Sequence, residues 1–302
     1  MPDEPLPAWI EVGRWPSASR ADDHALVLQA VGLAATVVAT DDGRHYALIV
    51  GADDAARARG ELARFVRENR GWPPRTVPFT PVTMGVGAAL VYAALLAIAF
   101  MAEQQGSYGV HWRAVGAADA ALMRDGAWWR AVTALPLHAD IVHLGGNMLF
   151  GAVFGVILAQ SAGAGAAWLT FVIAGGAGNA INAWWQPPSH LAIGASTGVF
   201  GLLGALAACD WMRRGRLRRH PLRRWASIIM GVALVLWFGV SRDPQVDVSA
   251  HIFGFIAGLP IGALVGGAPG SWFSERTQQV LTAAALALVV GAWAAALIWP
   301  SV

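Results

Sequence analysis

Seven long runs of apolar residues fill most of the chain after residue 80, and they limit what it can fold into. None of the runs contains Asp, Glu, Lys or Arg, and they cover residues 81–101, 143–160, 166–186, 192–209, 225–241, 249–267 and 277–299. A helix needs about 20 apolar residues to cross a bilayer. Charged residues make up only 13% of the chain, against about 25% in soluble domains. The pattern predicts an all-α polytopic membrane protein.

Residues 1–75 differ from the rest, because they are charged and show mixed helix and strand patterns. The predicted elements are a strand near Trp9–Val12, a helix at Ala21–Gly32, strands at Ala35–Thr40 and His45–Val50, and a helix at Asp53–Asn69. Asp41-Asp42-Gly43 between the two later strands is a typical hairpin signal. Gly71-Trp72-Pro73-Pro74 ends the region. We expect a small soluble α/β domain of βαββα order, followed by a linker at 76–80.

Arginine bias predicts how the spans are oriented. The loop between the fourth and fifth spans, RRGRLRRHPLRRW, carries seven Arg and should be cytoplasmic. The amino-terminal domain is then cytoplasmic and the carboxyl terminus extracytoplasmic, and we expect a bacterial inner membrane. Residues 102–142 become an extracytoplasmic segment lying at the membrane interface. Because the basic cluster lies between two spans, it does not indicate nucleic acid binding.

Four polar residues lie near the starts of even-numbered spans, which all enter from the extracytoplasmic side. They are His143 and Asn147 in span two, Ser196 in span four and His251 in span six. At ~1.5 Å per residue, they lie within roughly 10 Å of the helix tops. Polar groups inside a membrane are costly and tend to be functional. The pattern predicts one shared site beneath that surface.

The residue types at this site suit acyl transfer. Serine is a weak nucleophile until a base takes its proton, and His251 can be that base. Gly254 and Gly258 lie on the His251 side of its helix, so that helix can approach the helix of Ser196 closely. A developing oxyanion needs donors placed in advance. His143, Asn147 and the Ser196 backbone N–H are candidates.

Three stretches resemble the rhomboid family of intramembrane serine proteases. They are WWRAVTALPLHADIVHLGGNM at 128–148, GASTGVFG at 194–201 and AHIFGFIAG at 250–258. The resemblance covers about residues 81–267. It implies a rhomboid-like six-helix core over 81–267, with residues 268–302 forming a seventh, C-terminal transmembrane helix.

The resemblance also implies roles for single residues. Ser196 and His251 would form a catalytic dyad, with an oxyanion hole made by His143, Asn147 and the Ser196 backbone. The supporting residues would be His138, Arg130, Phe200, Gly194, Gly198, Gly254 and Gly258. The substrates would be single-span or other transmembrane proteins in the lipid bilayer. Many relatives have Gly directly after the serine, where this chain has Thr197.

Other interpretations remain. A catalytically silent rhomboid-like protein would bind membrane clients, although such relatives typically lack the serine or the histidine. A transporter would show internal repeats or charged groups at midmembrane, and neither is evident. No H-E-x-x-H motif or Cys/His cluster indicates a metal, so no metal or cofactor is expected. Asp247 either orients His251 or faces water, and His190 is expected to be a surface or loop residue.

Overall fold

The computed structural model describes residues 8–69, 83–214, 221–238 and 246–299. Chain contacts divide the protein into two compact units, residues 1–77 and 78–302, and each is described by itself. The predicted linker at 76–80 lies outside the described residues, as do residues 215–220 of the arginine-rich loop.

The first unit is a three-stranded antiparallel sheet with two helices. Its elements are β1 (Trp9–Trp15), α1 (Ala18–Ala30), β2 (Ala35–Ala39), β3 (Tyr46–Gly51) and α2 (Ala55–Glu68). The strand order is β1-β3-β2. Leu28, Leu48, Val50 and Leu62 are buried in its core. The predicted α/β character of this region is confirmed.

The second unit is a helical bundle. Its long helices are α3 (Thr83–Gln104), α7 (Ile141–Ala162), α8 (Ala164–Trp185), α9 (Ser196–Arg214), α10 (Pro221–Phe238), α11 (Val248–Gly267) and α12 (Glu275–Ile298). Each coincides with one predicted apolar run. Five helices in the described part of the chain, α3, α7, α8, α11 and α12, are long and apolar enough to cross a membrane. The prediction of an all-α polytopic membrane protein is confirmed, whereas the count of seven spans stays a prediction.

The segment between α3 and α7 folds into short elements that support the bundle. They are α4 (Trp112–Gly116), β4 (Ala118–Asp119), α5 (Ala120–Arg124) and α6 (Arg130–Thr133). Strand β4 pairs antiparallel with β5 (Leu191–Ala192), which lies just before α9. Arg130 is only 1% exposed and donates to the carbonyl oxygens of Ala117 and Ala114 at 2.9 and 3.0 Å. Arg130 therefore ties this segment together, and the segment holds the loop that leads into α9.

Helices α9 and α11 share the most extensive contact of any helix pair in the described bundle. Glycines recur at every fourth residue of α11, and each faces a backbone carbonyl oxygen of α9. The facing pairs are Gly254 with Thr197, Gly258 with Gly201, Gly262 with Ala205, and Gly266 with Cys209. A Cβ atom at any of the four positions would overlap that backbone. We call these four residues the glycine stripe; it lets the two backbones touch directly.

Candidate active site

Ser196 and His251 lie side by side at the starts of α9 and α11. Ser196 is the first residue of α9, and His251 is in the first turn of α11. The Oγ atom of Ser196 lies 2.9 Å from Nε2 of His251. This separation suits direct proton transfer from a hydroxyl to an imidazole. The glycine stripe produces the contact, because Gly254 lies one turn after His251 and against the Thr197 carbonyl.

The ring of Phe200 packs against the imidazole of His251. The two ring centroids are 4.5 Å apart with an interplanar angle of 33°. His251 is only 7% exposed. A packed, buried ring has few rotamers, so its Nε2 atom stays directed at Ser196.

His143 reaches the same place from α7. A Cβ atom added to Gly194 would lie 2.7 Å from Cε1 of His143 and 3.7 Å from Oγ of Ser196. The His143 ring therefore lies against Gly194, beside the serine. Gly194 has a φ of 126°, a backbone conformation that side chains with a Cβ rarely adopt. The glycine thus permits both the chain turn before α9 and the approach of His143.

Asn147 lies one helical turn after His143 and is 6% exposed. Its Nδ2 atom donates to the carbonyl oxygen of His143 at 3.1 Å. Tyr92 on α3 donates to the carbonyl oxygen of Asn147 at 2.9 Å. Because an amide nitrogen carries two hydrogens, one donor position of Asn147 is left for a ligand.

His138 supports the turn into α9 from behind. Its Nδ1 atom lies 3.1 Å from the Pro136 carbonyl oxygen, and its Nε2 accepts from the Ala195 N–H at 3.5 Å. Burial, together with the neighbouring His143, lowers the pKa of His138 to about 4. His138 is therefore neutral near pH 7, which leaves Nε2 able to accept.

Thr197 fits the bundle as a regular residue of α9. It is 3% exposed, and its methyl group lies against Gly178 on α8 and Gly254 on α11. The next residue, Gly198, lies against the ring of Phe171, where a Cβ atom would clash. Thr197 is accommodated because both helices that face it present glycine.

Six of the predicted site residues line a cavity of about 1090 Å³, and they are His143, Asn147, Gly194, Ser196, Phe200 and His251. The other five, which do not line it, are Arg130, His138, Gly198, Gly254 and Gly258. In the described part of the chain, no group of three or more His, Cys, Asp or Glu residues is arranged to hold a metal ion.

Five polar residues beside the dyad form a hydrogen-bonded group that the sequence did not predict. We call Asn182, Gln186, His190, Asp247 and Ser249 the polar cluster. Asp247, left open between two roles, caps α11 and accepts from the Ala250 N–H at 3.0 Å. His190, expected to be a surface or loop residue, lies in a loop and contacts Asp247 at 2.7 Å. One signal in the sequence was the position of Asp247, four residues before His251.

Comparison with known proteins agrees with this geometry. Residues 125–268, which contain all the residues of the candidate site, match the profile of the rhomboid domain. The chain belongs to the rhomboid family. The fold and the family place it as an integral, multi-pass membrane protein.

Rhomboid relatives come from bacteria, plants and parasites. The chain is 31% identical to Rhomboid protease GluP of Bacillus subtilis, over 58% of this chain and 33% of that protein. It is 32% identical to Rhomboid-like protease 3 of Toxoplasma gondii, over 49% of this chain and 55% of that protein. It is also 32% identical to the mitochondrial RHOMBOID-like protein 6 of Arabidopsis thaliana, over 49% of this chain and 47% of that protein. The chain thus spans about half, or less, of the length of these relatives.

Proposed function

We propose that the chain is an intramembrane serine endopeptidase that cuts transmembrane proteins with a Ser196–His251 dyad. The observation that carries the proposal is the 2.9 Å contact between Ser196 Oγ and His251 Nε2. The two residues line one cavity within a bundle of apolar helices. Membership of a family that includes proteases adds support.

The reaction uses His251 twice as a proton carrier. Oγ of Ser196 attacks the carbonyl carbon of the peptide while its proton passes to Nε2 of His251. The C–N bond then breaks, the imidazole returns the proton to the departing amine, and an ester remains on Ser196. Water attacks the ester carbonyl carbon and gives a proton to Nε2 of His251. The bond between that carbon and Oγ of Ser196 then breaks, the imidazole returns the proton to Oγ, and the carboxylic acid product leaves.

The oxyanion is stabilised by donors around Ser196. As the first residue of α9, Ser196 has a backbone N–H for which the helix itself supplies no acceptor. The positive end of the helix dipole also favours negative charge there. His143 and the remaining Asn147 donor complete the oxyanion hole from α7.

The substrates are single-span or other membrane proteins that reach the cavity from the bilayer. The dyad lies among membrane-crossing helices, so a segment entering it passes from lipid into a polar pocket. The chain binds lipid on its outer surface and has no proposed role with nucleic acid.

The dyad is tested with purified protein in detergent. Ser196→Ala and His251→Ala should each reduce cleavage of a single-span substrate by about 10⁴-fold or more. A fluorophosphonate probe should label wild type on Ser196 and should not label Ser196→Ala. His111→Ala is a matched control, since His111 is exposed and lies outside the cavity.

Two outcomes would contradict the proposal. Undiminished cleavage by either variant would show that Ser196 and His251 do not act as a catalytic dyad. A folded wild type that neither cleaves nor reacts with the probe would favour the catalytically silent alternative, a protein that binds membrane clients.

The proposed orientation puts the first unit on the cytoplasmic side of a bacterial inner membrane and the carboxyl terminus outside. The orientation is supported by the arginine-rich stretch between the fourth and fifth apolar runs, because positive residues favour the cytoplasmic side. An alkaline phosphatase fusion after Val302 should be active, and one within residues 215–220 should be inactive. The reverse pattern would overturn the orientation.

A further inference from the structure

The polar cluster joins the chain segments that carry the two dyad residues. Asn182 lies in the last turn of α8, Gln186 directly follows that helix, and His190 lies in the loop that leads through β5 to Ser196. Asp247 and Ser249 begin α11, which carries His251. His190 is six residues before the nucleophile, and Asp247 is four residues before the base.

The Asp247 carboxylate accepts hydrogen bonds from donors on all of these segments. Its Oδ2 accepts from Asn182 Nδ2 at 2.6 Å and lies 2.7 Å from Nε2 of His190. Its Oδ1 accepts from the Ala250 N–H at 3.0 Å and lies 2.8 Å from Oγ of Ser249. One carboxylate therefore caps α11 and also links it to α8 and to the loop before α9.

Ser249 extends the same link. Its Oγ accepts from Gln186 Nε2 at 2.7 Å and lies 2.7 Å from Oδ1 of Asn182. A hydroxyl has a single proton, so Ser249 donates either to Asn182 or to Asp247 at any moment. The amide groups of Asn182 and Gln186 thus hold the first turn of α11 from the side.

The electrostatics of the contact fix which atoms donate. Burial raises the pKa of Asp247, but hydrogen bonds from Ala250, Ser249 and His190 outweigh it and hold that pKa below its usual range. An ionised carboxylate only accepts, so Nε2 of His190 carries a hydrogen. The side chains of His190 and Asp247 are only 24% and 15% exposed, and shielding from water strengthens a charge-assisted hydrogen bond.

We propose that His190 and Asp247 are positioning residues, whose contact holds the loop of Ser196 against the helix of His251 and so sets the geometry of the dyad. The inference rests on the proposed function. The pair acts through backbone placement: it ties together the residues that precede Ser196 and His251. Loss of the contact lets the two chain segments separate by fractions of an ångström, which slows proton transfer and leaves substrate binding in place.

Three variants separate this role from helix capping. Asp247→Ser keeps a good N-cap residue but is too short to reach His190. His190→Ala removes the partner, whereas His190→Gln keeps an N–H donor on a side chain of similar reach. His111→Ala, the exposed histidine of the control above, should behave as wild type.

The measurements are kcat and KM for a single-span substrate, the labelling rate of Ser196 by a fluorophosphonate, and thermal unfolding. Asp247→Ser and His190→Ala should each lower kcat and labelling about 10- to 100-fold, with KM within about twofold. The double variant should be no slower than the slower single one, since both remove one contact. His190→Gln should recover to within about threefold of wild type.

Each contrary result has a distinct meaning. If Asp247→Ser and His190→Ala both keep the wild-type kcat, the proposed protease function stands and the positioning role is wrong. An effect only on KM, or a His190→Gln variant as slow as His190→Ala, also overturns it. An inactive, unlabelled wild type overturns both this role and the protease. If Asp247→Ser does not fold, the two His190 variants decide, because His190 lies in a loop and caps no helix.

Discussion

At the scale of single residues, the geometry of the site depends on a few backbone conformations and side-chain contacts that tolerate little substitution. The sequence predicts Ser196, His251, His143 and Asn147 as one group, because polar residues stand out in apolar spans. It does not predict the contact of His190 with Asp247. Those two residues are 57 positions apart, and a loop that carries no periodic pattern sets where His190 lies.

Removal of the Asn147 side chain tests the oxyanion hole. Asn147→Ala should lower kcat roughly 10²- to 10³-fold, because one donor to the developing oxyanion is lost. Steady-state cleavage in detergent measures this. Asn69→Ala is a matched control, since Asn69 Nδ2 makes the same kind of bond to the carbonyl oxygen four residues earlier, but in the first unit. Equal rates for Asn147→Ala and wild type would remove Asn147 from this role.

The turn before the nucleophile gives a second residue-scale prediction. Gly194→Ala should reduce cleavage at least about 100-fold, because its Cβ would displace the His143 ring and the backbone has a φ of 126°. Gly126→Ala shares the backbone cost, with a φ of 106°, but its Cβ would meet nothing within 4 Å. Gly126→Ala should lower the melting temperature and keep the cleavage rate per folded molecule. Similar loss of rate in both variants would contradict a specific effect on His143.

At the scale of elements, apolar runs predict where helices lie better than where they begin. The run 192–209 corresponds to α9, but the helix begins at Ser196 and continues to Arg214. Its start depends on the Gly194 turn and on the pairing of β5 with β4, which involve distant segments. Gly254 and Gly258 were predicted to face α9, and the structure extends the stripe to Gly262 and Gly266.

The glycine stripe predicts a large effect from one methyl group. Gly258→Ala should destabilise the bundle by about 1–3 kcal/mol, the usual cost of overpacking, because its Cβ would overlap the Gly201 carbonyl. Gly291→Ala on α12 should cause no loss, since its Cβ would meet nothing within 4 Å. Thermal or denaturant unfolding in detergent compares the two. Equal stability of the two variants would show that α9 and α11 can separate without cost.

At the scale of the whole molecule, composition predicts two regions of different kind, and the structure describes each as a compact unit. The apolar excess after residue 80 is enough to predict a membrane bundle. The number of spans is harder, because α9 carries Asp210 and Arg213 and the apolar part of α10, Trp225–Trp237, is short. Length and hydropathy alone do not decide whether such helices cross.

Deletion of the first unit tests whether the site is complete in the second. Removal of residues 1–75 should leave the rate of Ser196 labelling by a fluorophosphonate unchanged, because every residue of the candidate site lies in the second unit. A role of the first unit in recruiting clients would then appear only in the selectivity among protein substrates. A large loss of labelling in a folded truncated protein would show that the bundle alone does not hold the dyad.

The glycine stripe also bears on how a protein of this fold can evolve. At the four positions of the stripe, α11 places no side chain against the α9 carbonyl oxygens. The helix spacing there has no rotamer to adjust, so a substitution at the stripe can only widen it. Phe150 and Phe154, on α7, line the cavity with exchangeable side chains. Under the proposed function, substitutions at these two positions would change the cleavage preference and leave Ser196 and His251 in place, so directed evolution of substrate choice should begin there.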